Sequence, residues 1–367
     1  MVAMAVLMST ACSQGSEDTT EQGGGVPVID TRTAISFSGQ QAEEQAVNQG
    51  TNRAQGMTRA GTPLSDSKKT FKVWGYKNMS ESNGDYGTLQ TVFPGYIVNW
   101  FSGSSSASNS NGWEYVAQQT GSDPEQTIKY WDWEAKAYRY FAITGTYTAN
   151  GDNTEFTMTA DCSGATDEAI ATNIAAAPFF SHLWFSTGQL PTYADKQFGK
   201  PVVLEFLKPF ARVRFLFNYS YAAEGVKVTA PHFKPTHGTK IARKGTVKVT
   251  YPLTGTQTSE SYTVTKNNDP ATGEELVDFT EEYIPEGTEK WYTVLPVLTQ
   301  GSYTMTVTVN NTEKRAVVPA EYMSWLPGYS YTYIFKITED GGVEVQLVQA
   351  AVTEWTELEN DHTVYNW

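Results

Sequence analysis

Residues Pro201–Tyr219 read PVVLEFLKPFARVRFLFNY, and this stretch decides how the chain divides. It holds two strand patterns in succession, broken by Lys208-Pro209. In the second, Val213, Phe215 and Phe217 alternate with Arg212, Arg214 and Asn218. β-Branched and aromatic residues at a period of two mark a strand with one buried face. Pro209 has no N–H to give to a ladder, so the register is expected to break there. The chain before the stretch is rich in Gly, Ser, Asn and Trp; the chain after it is a regular series of alternating segments. A second β domain is therefore expected to start at residue 200.

Downstream, Val247-Val249-Tyr251, Tyr262-Val264, Trp291–Leu298 and Tyr303-Met305-Val307-Val309 repeat the pattern. Tyr329-Tyr331-Tyr333-Phe335-Ile337 is the longest alternation in the chain, and Asp340-Gly341-Gly342 turns it into Val343-Val345-Leu347. Short antiparallel strands with turn signals between them indicate a β-sandwich. Upstream, Phe71–Tyr76, Tyr96–Phe101, Trp113–Ala117, Thr127–Trp133, Ala137–Tyr147 and the Phe156/Met158 pair read as strands. Asn83-Gly84 is a hairpin turn signal, and Ser102–Gly112 is a low-complexity loop. Thr166–Ala177 has a Thr N-cap, acids in its first turn and Pro178 as a stop, the signature of one short helix. The fold class expected is all-β, with 61–199 and 200–367 as two domains in tandem.

The 367 residues include 13% aromatics, with 21 Tyr and 10 Trp, and only 18% charged residues, which favours strands over helices. A net charge of −14 argues against nucleic-acid or anionic-membrane partners, because both need a basic footprint. Two cysteines in unlike contexts, Cys12 and Cys162, exclude a disulfide framework.

The N-terminus carries the first functional signal. Met1–Met8 (MVAMAVLM) is a short apolar run, and Ser9-Thr10-Ala11-Cys12 follows before a polar tether containing Gly23-Gly24-Gly25. This resembles the end of a secretory signal peptide closing on a lipobox, whose cysteine becomes the lipidated N-terminus of a bacterial lipoprotein. No basic residue precedes the run, so the natural start is expected to lie upstream, and Ser9 stands where Leu is usual. The other reading is a buried apolar N-terminus with an incidental cysteine. Residues 1–12 are thus expected to be a signal peptide. Residues 13–60 form a tether, a first strand with Ile35 and Phe37 facing one way, and an unpatterned linker. That linker holds Arg53 and Arg59, exposed basic residues of the kind proteases find.

Catalytic candidates are weak. Gly328-Tyr329-Ser330 lacks the second Gly of a nucleophile elbow. Cys162 reads as a packed small residue. His232 and His237 are too few ligands for a zinc site. In Trp131–Glu134 (WDWE), strand geometry sets Asp132 and Glu134 on one face and the tryptophans on the other. Two carboxylates beside aromatics would suit a glycosidase, but the same pattern is an ordinary half-buried strand. No phosphate loop occurs. The expectation is a chain without catalysis and without cofactor or metal.

In order along the chain, the Cys12 region, AISFSG (34–39), Thr58-Arg59-Ala60, FKVWGY (71–76), IKYWDWEAKAYRYFAI (128–143), PVVLEFLKPFARVRFLF, WLPGYSYTYIFKI (325–337) and VTEW (352–355) resemble the fimbrillin family. These are the type V pilins and fimbrillin-like lipoproteins of Bacteroidia. The resemblance implies two transthyretin-like, Greek-key sandwiches and export to the outer membrane and cell surface or fimbrium, with the membrane met only through the lipid anchor. It implies an arginine-specific protease as partner, acting after an arginine in the N-terminal linker. Loss of the first strand then opens a groove that another pilin subunit fills by β-strand addition. Carried onto this sequence, the displaced strand is Ile35–Phe37, and the cut follows Arg59 or, second, Arg53. Cutting at Arg32 would leave Ile35 and Phe37 in place. Little apolar chain follows VTEW, so Val343–Val352 is a donor candidate if it lies outside the core sheet. The rival function is a non-polymerising surface lipoprotein that binds glycan, or a surface protein, through exposed aromatics.

Overall fold

The computed structural model describes residues 33–41, 46–47, 63–102, 107–108, 112–164, 166–187, 198–235, 241–266, 291–298 and 301–352. Strands β1 (Phe37–Gln41) and β2 (Ala46–Val47) come first, and a 3-10 turn follows at Leu64–Asp66. Next are β3 (Thr70–Ser82), β4 (Asp85–Trp100), β5 (Trp113–Glu114), β6 (Ala137–Ile143), β7 (Thr148–Ala149) and β8 (Glu155–Asp161). Helix α1 (Asp167–Ala176) leads to β9 (Phe180–Ser181), β10 (Trp184–Thr187), β11 (Val202–Leu207) and β12 (Ala211–Asn218). The remaining strands are β13 (Val228–Pro235), β14 (Lys244–Thr250), β15 (Ser261–Lys266), β16 (Tyr292–Val294), β17 (Tyr303–Val309), β18 (Thr312–Val318), β19 (Tyr329–Ile337) and β20 (Val343–Val352). The fold is all-β.

Four sheets result. Sheet I runs β1-β11-β9-β6-β3-β4-β5, with β10 also on β6. Sheet II is β16-β12-β19-β20-β2, sheet III is β13-β17-β18, and sheet IV is β15-β14-β8-β7. The break at Lys208-Pro209 is real: β11 and β12 leave it for different sheets, I and II. Gly328 makes the corner possible. Its N–H donates to the Phe210 carbonyl at 2.6 Å, its φ is +81°, and a Cβ there would run into the Leu207 side chain.

Sheets II and III face each other as a sandwich. Val213 and Phe215 of β12 and Tyr331, Tyr333 and Phe335 of β19 meet Phe233 of β13 and Tyr303, Met305 and Val307 of β17 in one core. Sheet I is buried on both faces. One face collects Phe71, Val73, Phe93, Tyr138, Tyr140, Val202 and Leu204. The other sets Trp74, Phe141 and Phe180 against Phe156, Met158 and Val249 of sheet IV and Tyr251, the residue after β14. Strand β6 is consequently buried along its whole length, which is why AYRYFAI shows no polar alternation.

The Asn83-Gly84 turn has both residues at positive φ, 52° and 78°, as a tight hairpin requires. Helix α1 is capped by Thr166, whose hydroxyl accepts from Ala169 N–H at 3.2 Å.

Three features differ from the sequence reading. First, the sheets are mixed rather than purely antiparallel: β1 lies parallel to β11 and β12 parallel to β19. Strand β13 and sheet III intervene between β12 and β19, supplying the long crossover that parallel neighbours need. Second, strand pairing runs across residue 200: β11 pairs with β1 and β9, and β14 pairs with β8. Third, Trp131–Glu134 is not a strand. Only Tyr130 is bridged, to Ala34, and the chain then turns, with Glu134 N–H donating to the Asp132 carboxylate at 3.0 Å.

Candidate strand-exchange groove

Strand β1 is the first strand in the order of sheet I, and β11 is its sole strand neighbour there. The register sets Phe37 opposite Val202 and Gln41 opposite Phe206. On its far side the segment meets the chain at two isolated bridges, Ala34 with Tyr130 and Gln40 with Pro63. The flanking backbone bonds are Ile35 N–H to Lys129 O at 2.8 Å, Trp131 N–H to Thr33 O at 3.0 Å, and Val202 N–H to Ser36 O at 2.8 Å.

The side chains are held far more firmly than an edge requires. Ile35 and Phe37 are both 0% exposed. The Phe37 ring meets Phe93 edge-on at 5.1 Å, Tyr140 at 5.8 Å and Tyr115 at 5.9 Å. Tyr115 reaches over the backbone: its hydroxyl donates to Ile35 O at 2.9 Å and accepts from Lys129 N–H at 3.1 Å. Burial pushes this phenol well above its ordinary pKa, so it stays a donor at any physiological pH. Two residues on, Gly39 lies beneath Leu64 and Trp113; a Cβ there would stand 3.1 Å from Leu64 Cδ2 and 3.4 Å from Trp113 Cζ2. The seat thus accepts two bulky apolar groups followed by none. Burying the two large side chains is worth roughly 1.5–3 kcal/mol each. Without β1, the β11 backbone edge would lie open beside an aromatic trough of Phe93, Tyr115 and Tyr140.

Cys12, Arg53, Arg59 and His237 lie outside the described residues. The donor candidate Val343–Val352 is β20, and it pairs with β19 from Val343 opposite Ile337 to Val352 opposite Tyr329. It is therefore part of sheet II, so the condition on which it was a donor candidate, lying outside the core sheet, is not met.

The WDWE run holds no catalytic constellation. Asp132 is bound by the Lys77 ammonium, which holds its carboxyl below the ordinary carboxylate value, and Glu134 points to solvent. Trp131 is buried and stacked on Phe198 at 5.4 Å, whereas Trp133 is 53% exposed. The two tryptophans therefore do not share an environment, because the turn after Tyr130 ends the alternation. Cys162 is buried between the Arg243 and Thr293 carbonyls, at 3.1 and 3.3 Å, and burial pushes its thiol up to about 12. His232 belongs to β13, and among the described residues no group of three or more His, Cys, Asp or Glu is placed to hold a metal.

Sequence reasoning missed one buried ionic cluster. Glu260 accepts from Leu183 N–H at 2.8 Å, pairs with His182 Nδ1 at 2.8 Å, and accepts from the Tyr262 hydroxyl. Burial alone would raise its pKa; the His182 pairing and these donors outweigh it and bring the value to about 2. The cluster clamps the residues after β9 onto the start of β15. Little in the sequence around Glu260 marks it, since Leu183 and His182 are 77 and 78 residues away and only Tyr262 is near in sequence.

No protein-family model matches the chain, and no curated protein matches it. Among solved structures the chain is similar to a "putative cell adhesion protein" from Bacteroides ovatus, at 13% identity and TM-score 0.37, over 87% of this chain and 97% of that one. A protein of the same description from Bacteroides uniformis aligns at 14% identity and TM-score 0.35, over 89% and 98%. A fimbrial assembly protein from Parabacteroides distasonis aligns at 8% identity and TM-score 0.24, over 76% and 91%.

Proposed function

We propose that the chain is a non-catalytic structural or adhesive subunit of a surface fimbrium, exported as a lipoprotein through Cys12 and assembled by protease-triggered strand exchange. The observation that carries the reading is the seat of β1: an edge strand with Phe37, and Ile35 just before it, fully buried, joined to the rest of the molecule through residues 42–62. While that connection is intact, β1 refills its seat intramolecularly, without the dilution that a separate strand meets. An incoming strand cannot compete on those terms. A cut after Arg59 or Arg53 turns β1 into a free peptide that dilution removes, and a strand from another subunit takes the ladder and the trough.

The test is to treat the purified chain with an arginine-specific protease and follow intact mass and gel mobility. The reading expects a mature chain beginning at Ala60 or Ala54 and SDS-resistant ladders of cut subunits. A cut chain that keeps its N-terminal fragment and stays monomeric would overturn it. Trp133, exposed beside Phe198, favours the second reading, glycan binding by a surface aromatic. In that case Trp133→Ala abolishes glycan binding while protease treatment changes nothing.

A further inference from the structure

We propose that β20 carries a second strand-addition surface, capped by β2 in the intact chain and paired with β20 of a second copy once β2 is gone. The proposal rests on the reading that the N-terminal segment is removable, and it concerns a different sheet.

Both strands that precede the linker are terminal in their sheets. Strand β1 begins the order of sheet I, and β2 ends the order of sheet II. The β2 contact is short, with Ala46 opposite Ala351 and Val47 opposite Ala350. Any cut between residues 48 and 62 severs both strands from everything that follows. One proteolytic event thus uncovers two edges, that of β11 and that of β20.

The β20 edge lacks protection of its own. Its sequence, VEVQLVQAAV, has no Pro, no Lys and a single charge, Glu344. Edges left exposed are usually blunted by such residues, and their absence marks a strand meant to be covered. Among the described residues, only β2 pairs with it on the side away from β19. Pairing while it remains in its sheet is the inexpensive route. Leaving the sheet would forfeit the full β19 ladder and expose Val343, which is buried in the second core.

Self-pairing suits the sequence. With a two-fold axis between Leu347 and Val348, antiparallel pairing sets Val343 opposite Val352, Glu344 opposite Ala351, and Gln346 opposite Gln349. No like charges meet, and the contact is isologous, so it closes as a dimer. The two copies of sheet II then form one continuous sheet.

Sedimentation of four forms of the full, uncut chain tests this. The wild type is expected to be monomeric. Ala46→Pro with Val47→Pro removes the β2 donors without touching β1, and should double the mass. Adding Gln346→Lys and Gln349→Lys puts lysines opposite each other and should return the monomer. Replacing the second change with Gln349→Glu sets Lys opposite Glu and should restore the dimer, which also shows that β20 still folds. An Ala46→Pro, Val47→Pro double variant that stays monomeric, or a dimer indifferent to the lysine pair, overturns the proposal. Slow amide exchange at Val202 in every form would show β1 still seated, so either failure would leave the β1 groove untouched. A fragment retained after cutting would count against the removal of the N-terminal segment, and so against the β1 exchange, while the variants of the uncut chain still decide whether a bare β20 edge self-pairs.

Discussion

Tyr115 closes over the first strand: its hydroxyl donates to the Ile35 carbonyl at 2.9 Å, across 80 residues of chain. The same oxygen accepts from Lys129 N–H, so one phenol ties β1 to the segment on its far side. Tyr115→Phe keeps the ring beside Phe37 and removes only this tie. The expected loss is about 1 kcal/mol, seen as a several-fold faster release of the N-terminal fragment after proteolysis, measured by stopped dilution and mass.

Phe37→Ala empties the centre of the trough between Phe93, Tyr115 and Tyr140. Large-to-small changes at such sites cost about 3–5 kcal/mol. Urea denaturation of the uncut chain should show that loss in the unfolding of sheet I. After cutting, the same variant should lose its fragment faster than wild type. A change under about 1 kcal/mol would mean that β1 is not packed as described.

Gly39→Val tests the narrow end of the seat. The new side chain meets Leu64 and Trp113, and overpacking of this kind costs about 1–3 kcal/mol. Leu64→Ala should recover part of it. Absence of any recovery in the double variant would place the strain elsewhere.

Glu260 gives a pH dependence whose sign is fixed. Its folded pKa, about 2, lies below the ordinary 4.5, so between these values the unfolded chain binds the extra proton. The stabilisation is complete above about pH 5 and is lost as the pH falls toward 2. At 1.36 kcal/mol per unit it amounts to roughly 2–4 kcal/mol. Glu260→Gln should be less stable than wild type at pH 7 and should flatten the acid limb of the stability curve. An unchanged acid limb would remove the carboxylate from the account.

Cys162 should resist alkylation. Its thiol is buried and its pKa is pushed up to about 12, so almost no thiolate exists at pH 8. In a Cys12→Ser background, iodoacetamide should label the unfolded chain fully and the native chain hardly at all. Rapid native labelling would contradict the packing of Cys162 under the Arg243 and Thr293 carbonyls.

Local signals were readable wherever local physics decides. Pro209 had to end a ladder, Asn83-Gly84 had to turn, and Thr166 had to cap, and each does so. The WDWE run misleads because its Trp-Asp-Trp alternation imitates a strand. The Asp132 carboxylate accepts from Glu134 N–H and makes a turn instead. Long-range pairing was not legible. Nothing in FSGQQ names VVLEFL as its parallel neighbour 165 residues away, and nothing in Ala46-Val47 points to β20. Ile35 and Phe37 were visible as one face of a strand, but the Tyr115 tie and the cover of Leu64 over Gly39 exist only once the sheet is closed.

The most direct test of the central claim uses a synthetic peptide of β1, TAISFSGQQ (residues 33–41), added in excess to freshly cut protein. If β1 occupies an exchangeable seat, the peptide binds the cut chain one to one and stops ladder formation, whereas the same peptide with Phe37→Asp does neither. If ladders form equally with both peptides, or if neither binds once the native fragment has been removed, the seat of β1 is not where subunits join.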